Sequence, residues 1–133
     1  MTALKIVQLY YRCFNNRDWE GMLALLAADV RHETSQGEVR EGIALFRAFL
    51  AHMDECYEEW LSDFVFFTEP AGMRFAVEFN VHGVYKKTDG DLPPAYDQPY
   101  ELPGGAFLEV AGGKITRVTT FYSVPLWLKL VTV

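Results

Sequence analysis

The first half of the chain repeats its apolar positions with the period of an α-helix. Apolar residues recur at i, i+3, i+4 and i+7 from Ala3 to Phe14, and Tyr10 is among them. This spacing is typical of an amphipathic helix. A second, shorter stripe follows Asp18, a residue type that caps helices well. The predicted elements are helices over 3–14, after Asp18 and over about 41–56, and a strand over 29–34 closed by a turn at 35–37.

The second half changes to the period of a strand. Apolar and polar residues alternate from Met73 to Lys86, with Phe75 and Phe79 on one face and Glu78 on the other. The predicted elements are strands over 59–68, 73–86, 100–110 and 114–122, a loop over 87–99, and a short terminal helix or tail over 126–130. This order predicts an α+β domain with helices packed on one face of an antiparallel sheet.

Composition narrows the class of protein. A length of 133 residues predicts one domain over 1–133, and half of the residues are hydrophobic, which is ample for a core. The net charge of −6 argues against nucleic acid as a partner. No apolar run is long enough to span a bilayer, and no signal-peptide pattern is present at the start, so we expect a cytoplasmic protein. Because no metal-ligand spacing or glycine-rich phosphate loop stands out, we expect no cofactor.

Two stretches resemble a known family. Tyr10, followed by Asn15-Asn16-Arg17-Asp18-Trp19-Glu20-Gly21, resembles the first two helices of the ketosteroid isomerase-related and SnoaL-like polyketide cyclase group of the NTF2-like superfamily. Residues 112–122 resemble the last hairpin of that group. The resemblance implies an NTF2-like cone, in which a strongly bent antiparallel sheet carries three helices on its concave face.

The resemblance also assigns roles by position. Tyr10 falls where the isomerase has a tyrosine that donates a hydrogen bond to the substrate carbonyl. The isomerase's aspartate base corresponds to Thr34, its protonated aspartate to Gly105, and its supporting tyrosine to Leu50. Ketosteroid isomerase combines an aspartate base with an oxyanion hole made of a tyrosine and a protonated acid. Three of these four groups are replaced here, which argues against steroid isomerisation by that mechanism.

Two candidates for the proton-transfer group lie side by side. His32 and Glu33 are neighbours on one predicted strand, so they point to opposite faces of the sheet. The side chain that shares a face with Thr34 is His32, which titrates near neutral pH and makes a good general base. A bulge near the turn would reverse the parity and bring Glu33 inward. The non-catalytic interpretation is a half-buried histidine and a surface carboxylate.

The other predicted wall residues come from helix stripes and strand parity. Glu109 shares a predicted face with Phe107, and its alternative role is that of a carboxylate at the rim or at an interface. The full set of predicted cavity residues, besides Tyr10, His32 and Glu33, is Trp19, Thr34, Phe49, Met53, Trp60, Phe75, Phe79, Phe107, Glu109, Val118, Thr120 and Tyr122.

These features predict a cofactor-independent enzyme of the isomerase, cyclase or dehydratase type. Its substrate would be a small apolar carbonyl compound, polarised by Tyr10 and deprotonated by His32 or Glu33. The alternative is a non-catalytic binding or dimerisation module of the same fold. A sheet covered by helices on one side leaves its outer face free, so we also expect a homodimer through Glu78, Asn80 and His82.

Overall fold

The computed structural model describes residues 1–35 and 37–133. In chain order its elements are α1 (Ala3–Asn15), α2 (Trp19–Ala24), β1 (Leu26–Glu33), β2 (Val39–Glu41), α3 (Ile43–Cys56), β3 (Tyr57–Thr68), β4 (Arg74–Tyr85), β5 (Gln98–Ala111), β6 (Lys114–Tyr122) and α4 (Val124–Val131).

Three helices begin at capping side chains that the sequence supplies. The Thr2 hydroxyl accepts a hydrogen bond from the backbone N–H of Lys5 at the start of α1. Asp18 does the same for Gly21 in α2, and Ser123 for Leu126 in α4. Such caps satisfy N–H groups that have no partner within the helix, and each stabilises its helix by about 1 kcal/mol. The predicted cap at Asp18 is confirmed.

The six strands form one curved, unclosed sheet in the order β2-β1-β6-β5-β4-β3. Four of the five neighbouring pairs are antiparallel, but β1 runs parallel to β6, with His32 opposite Val118. The predicted antiparallel sheet is confirmed for four pairs, and the parallel pair of β1 and β6 is the exception. Strand periodicity reports which side chains share a face and carries no information about the direction of a neighbouring strand, so the sequence pattern could not reveal the parallel pair.

The α+β cone is confirmed, with two additions. The chain over 126–130, for which the sequence allows a helix or a tail, belongs to the helix α4. The short strand β2 lies opposite the second half of β1, where His32 pairs with Arg40. A strand of three residues is too short to show an alternating pattern, which is why the sequence did not predict it.

Alternation along β4 fixes which face of the sheet is buried. Phe75 and Phe79 are buried, as predicted, together with Val77 and Val81, and Glu78 on the other face is exposed. In β3 the register shifts between Ser62 and Val65, and bulges of this kind increase the local bend and twist of a sheet. Among the described residues, no helix combines the length and the apolar character that crossing a bilayer requires.

Candidate functional site

A cavity of about 280 Å³ lies between the helices and the sheet. Its walls come from α1, α2 and α3, from the inward face of the strands, and from α4. Other residues that line it are described below. Nine of the predicted site residues line the cavity, namely Tyr10, Trp19, His32, Thr34, Phe49, Met53, Phe79, Thr120 and Tyr122. The walls are mostly aromatic and aliphatic, as in pockets that hold small organic ligands.

Tyr10 reaches the cavity from the inward stripe of α1. Its side chain is buried, and the ring of Tyr11 meets it edge to face at a centroid distance of 5.0 Å. Its hydroxyl has no hydrogen-bond partner among the described residues. Burial raises the pKa of this phenol well above its ordinary value. The group is therefore a neutral O–H that can donate to a ligand.

His32 points inward from β1 and is only 4% exposed. Its ring stacks on Phe46 at a centroid distance of 4.3 Å and meets the edge of Phe49 at 4.5 Å. The buried Nδ1 atom has no hydrogen-bond partner among the described residues. Burial, assisted by the positive charge of Arg40, lowers the pKa of His32 to about 4. The imidazole is therefore uncharged at neutral pH and one ring nitrogen is free to accept a proton.

Arg40 is the cross-strand neighbour of His32 and also lines the cavity. Its guanidinium forms an ion pair with Glu38 and lies 5.1 Å from the centroid of the Phe49 ring. One of its nitrogens, Nη1, is buried without a partner among the described residues. A positive charge at this place disfavours an imidazolium at His32 and favours negative charge on a nearby ligand oxygen.

Glu33 lies on the other face of β1 and does not line the cavity, so it is not turned inward as the alternative with a bulge required. Its carboxylate accepts hydrogen bonds from Arg31 Nε and from the Thr119 hydroxyl, each at 3.1 Å. The hydrogen bond from Arg31 is the largest of several contacts that lower the pKa of Glu33. Glu33 is thus an ionised carboxylate outside the cavity, and the sequence-based alternative that placed it inside is wrong.

Three more predicted wall residues lie on the outer face. Trp60 is 51% exposed and stacks on His82 at 3.7 Å, while Phe107 is 45% exposed and lies against Phe121. Glu109 forms an ion pair with Arg117 at 3.3 Å and another with Arg74 at 3.5 Å.

The parity of β5 explains two of these corrections. The buried residues of β5 are the even-numbered ones, including Leu102, Ala106, Leu108 and Val110. Phe107 and Glu109 therefore point outward, because a shift of one residue in a strand moves a side chain to the other face. Phe75 and Val118 do point inward and are buried, but among the described residues they are part of the core packing and not of the cavity lining.

The end of the cavity beneath α4 holds groups that the sequence reasoning missed. Tyr57, Glu59 and Trp127 line this end. Glu59 accepts a hydrogen bond from the hydroxyl of Tyr100 on Oε2, and burial raises the pKa of Glu59. The available signal was the alternation of Tyr57, Glu59 and Leu61 along β3, which places the carboxylate on the inward face.

One row across the sheet explains the contact between Glu59 and Tyr100. Gly83 on β4 lies opposite both residues, Glu59 on β3 and Tyr100 on β5. A Cβ atom at Gly83 would come within 2.2 Å of the Tyr100 ring. The glycine therefore leaves the space through which the phenol crosses one strand to reach the carboxylate.

A polar cluster closes the cavity between α3 and the loop after β4. Asp89 accepts a hydrogen bond from the Tyr57 hydroxyl at 2.7 Å and contacts His52 Nε2 at the same distance. The Cys56 thiol completes a group of three metal-ligating side chains whose atoms lie within 4.8 Å of one another. No sequence spacing indicated this group, because His52 and Cys56 share a helix and Asp89 comes from a distant loop.

Comparison with known proteins shows the family to which this chain belongs. The model of the SnoaL-like domain matches residues 7–118, most of the chain. This chain belongs to the SnoaL-like family. No curated protein sequence matches the chain at a significant level.

Several solved structures are similar to this chain. A candidate polyketide cyclase from Pseudomonas putida KT2440 is 45% identical, with a TM-score of 0.97 over 99% of each chain. Another from Xanthomonas campestris pv. campestris is 47% identical, with a TM-score of 0.94 over 98% of this chain and 96% of that one. An NTF2-like protein of unknown function from Burkholderia pseudomallei K96243, 20% identical, covers 98% of both chains with a TM-score of 0.82 and shows the shared fold.

Proposed function

We propose that this SnoaL-like protein is a cofactor-independent enzyme of the isomerase, cyclase or dehydratase type that acts on a small apolar carbonyl compound. One observation carries the proposal. The hydroxyl of Tyr10 and the imidazole of His32 border the same apolar cavity, and neither has a hydrogen-bond partner among the described residues. Buried polar groups are normally paired, so two unpaired ones facing a cavity favour a ligand that pairs with them.

The chemistry follows from what each group offers. The Tyr10 O–H donates a hydrogen bond to the carbonyl oxygen, which makes the neighbouring C–H more acidic. The neutral imidazole of His32 takes the proton from that carbon, and the electron pair of the C–H bond moves to the carbonyl oxygen as an enolate. The positive charge of Arg40 stabilises the negative charge that develops. Return of the proton to another atom completes an isomerisation or prepares the carbon for ring closure.

Hydrogen–deuterium exchange tests the proton-abstraction step without knowledge of the natural substrate. 2-Tetralone is an apolar ketone with exchangeable protons beside its carbonyl, and its ¹H NMR signals decay in D₂O as exchange proceeds. We expect the protein to accelerate this decay and the Tyr10→Phe variant to be slower. Tyr96→Phe is the matched control, because Tyr96 is 57% exposed. Binding of 2-tetralone without any acceleration of exchange would refute the enzyme and leave the binding module.

The second candidate function is a non-catalytic binding module, and one observation favours it. The positions that correspond to the isomerase's two aspartates hold Thr34, which lines the cavity, and Gly105, whose added Cβ would lie 3.3 Å from the carbonyl oxygen of Val77. Neither position supplies an acid or a base. A protein that kept the cavity and lost the reaction would bind 2-tetralone, with the Tyr10 hydroxyl as donor, and would return it unexchanged.

We further propose a homodimer built through the outer face of the sheet. This face carries Glu78, Asn80 and His82 from β4, as the sequence predicts, and also the exposed rings of Trp60, Phe107 and Phe121. Exposed aromatic rings flanked by polar side chains are typical of interfaces. Sedimentation equilibrium at about 100 μM should give twice the monomer mass of 15.2 kDa. Phe121→Glu should shift the equilibrium to the monomer, whereas Tyr96→Glu should not.

A further inference from the structure

We propose that Glu59 is a general acid at the α4 end of the cavity, and that Tyr100 positions it. In this arrangement Tyr100 holds Oε2, while Oε1 carries the proton and donates it to an oxygen of a bound carbonyl compound. The inference rests on the proposed function, since it names the group that supplies the proton in the same cavity. It also indicates a substrate class, namely apolar ketones that carry a second oxygen at a distance from the first.

The first argument is the placement of the carboxyl group. Glu59 faces inward between Tyr57 and Leu61 on β3 and lines the cavity. The cavity gives it partial access to solvent, although protein atoms surround it. No lysine or arginine forms an ion pair with Glu59 among the described residues, whereas Asp54 and Glu38 in the same lining pair with Arg17 and Arg40. A desolvated carboxyl group without a cation favours its neutral form.

The second argument is the direction of its one hydrogen bond. The Tyr100 hydroxyl donates to Oε2, and Oε1 has no hydrogen-bond partner among the described residues. In a neutral carboxyl group the oxygen that accepts from a phenol is the carbonyl oxygen, so the proton lies on the other oxygen. The phenol therefore keeps the acidic proton on Oε1, where it can reach a ligand.

The third argument is that the sheet is built to allow this contact. Glu59, Gly83 and Tyr100 form one row across β3, β4 and β5. Neighbouring strands lie about 4.8 Å apart, so Tyr100 has to extend over the middle strand to reach the carboxyl group. It can do so only because Gly83 has no side chain. The indole ring of Trp127 then covers the ring of Tyr100 at a centroid distance of 6.0 Å.

The proton transfer balances within the cavity. The O–H bond at Oε1 breaks as a second carbonyl oxygen of the ligand gains the proton. The π bond of that carbonyl breaks at the same time, because its carbon takes the electron pair of the enolate. The resulting carboxylate is held through Oε2 by the Tyr100 hydroxyl. His32 acquires a proton from the carbon beside the first carbonyl. Exchange with solvent then removes the proton from His32 and restores the one on Glu59, so both groups return to their neutral forms.

The test is the affinity of two ligands that differ by one methoxy group. 6-Methoxy-2-tetralone has an ether oxygen remote from its ketone, and 2-tetralone lacks it. Calorimetry should show that the methoxy compound binds more tightly by roughly 2- to 10-fold, the range for one hydrogen bond. This advantage should vanish as the pH rises, because an ionised Glu59 has no proton to donate. Absence of the advantage at low pH, or an advantage that does not change with pH, overturns the proposal.

Two variants separate the acid from a structural side chain. Glu59→Gln keeps an N–H donor in place of the acidic proton and a carbonyl that accepts from Tyr100, so the advantage should persist at every pH. Glu59→Leu should abolish it at every pH, and Glu58→Gln, on the exposed face of the same strand, should behave like the wild type. Identical pH profiles for the wild type and Glu59→Gln contradict the inference.

The role of Tyr100 has its own readout. In protein labelled with ¹³C at the glutamate carboxyl groups, the signal that Glu59→Gln removes should titrate above the ordinary range for a glutamate. Tyr100→Phe should move its midpoint to still higher pH, because the phenol stabilises the ionised form. An unchanged midpoint refutes the positioning role. If 2-tetralone binds but does not exchange, the proposed reaction fails while these binding results still decide the role of Glu59.

Discussion

The two ends of the cavity hold different acid–base groups, and burial acts on them in opposite directions. At the β1–β2 edge it lowers the pKa of His32 to about 4, and beneath α4 it raises the pKa of Glu59. Burial disfavours the charged form in both cases, which is the protonated form of a histidine and the deprotonated form of a glutamate. One apolar cavity can therefore hold a base and an acid that are both uncharged before the ligand arrives.

The neighbours of the two groups sharpen this difference. His32 has a guanidinium beside it, and that positive charge favours an anion at the same end of the cavity. Glu59 has a phenol, which donates a hydrogen bond without adding charge. The first end is thus suited to negative charge on a ligand oxygen, and the second to delivering a proton.

Removal of the base should have the largest effect. His32→Ala is expected to slow exchange of 2-tetralone by roughly 10²- to 10⁴-fold, the usual contribution of a general base. Glu59→Gln should change this rate by less than about threefold, because 2-tetralone has no second oxygen for Glu59 to protonate. His82→Gln, on the outer face, controls for loss of a histidine. Equal losses in the His32 and Glu59 variants would remove the distinction between the two ends.

Packing at the α4 end can be broken separately. Trp127 is buried against the rings of Tyr57, Tyr85 and Tyr100. Trp127→Ala should lower the free energy of unfolding by about 3–5 kcal/mol, as for other large buried aromatic side chains. Urea denaturation measures this loss. A loss below about 1 kcal/mol would mean that α4 contributes little to the packing of this end.

The two ends should also respond oppositely to pH in their effect on stability. The pKa of His32 is depressed from 6.5 to about 4 in the folded chain. The contribution of the neutral His32 to the free energy of unfolding is therefore fully present above pH 6.5. It decreases as the pH falls toward 4, by roughly 3 kcal/mol at most. For Glu59, whose pKa is raised, the folded state loses stability as the pH rises above the ordinary glutamate value of 4.5. The urea midpoint of the wild type should change with pH across this range. His32→Gln should remove the part of that change due to His32, and Glu59→Gln the part due to Glu59.

The smallest expected effect concerns the donor to the first carbonyl. Tyr10→Phe should weaken binding of 2-tetralone by roughly 0.5–1.5 kcal/mol, the net contribution of one neutral hydrogen bond, and leave the fold intact. Calorimetry and the circular dichroism spectrum measure the two quantities. Unchanged affinity in this variant would mean that the ketone oxygen does not lie at Tyr10.

The fold was largely predictable because its elements carry strong local patterns. The stripe of α1 and the alternation of β4 each encode one buried face, and both match the structure. Direction and register are set by pairing between distant segments, so the parallel neighbours β1 and β6 left no local signal. The register of β5 is likewise set by pairing with distant segments. The sequence therefore predicts that the large ring of Phe107 points inward, whereas in the structure its smaller neighbours Ala106 and Leu108 are buried.

The residues of the candidate site also differ in whether a local sequence pattern reveals them. Tyr10 and His32 could be found from helix and strand parity together with the family resemblance. Arg40 was missed because β2 is too short to be recognised. Glu59 was missed because the sequence analysis placed its neighbour Trp60 inward, and its hydrogen-bond partner Tyr100 lies 41 positions later in the chain. Catalytic candidates that act in pairs across strands are visible only when the strands are placed next to each other.

The empty space at Gly83 has a practical consequence. A methyl group there would act on the acidity of Glu59 from a neighbouring strand, because it would push the Tyr100 phenol away from the carboxyl oxygen. Gly83→Ala should therefore raise the midpoint of the Glu59 titration much as Tyr100→Phe does, while both of these side chains stay in the protein. A substitution at position 83 can thus change the pKa of Glu59 while Glu59 and Tyr100 themselves stay unchanged.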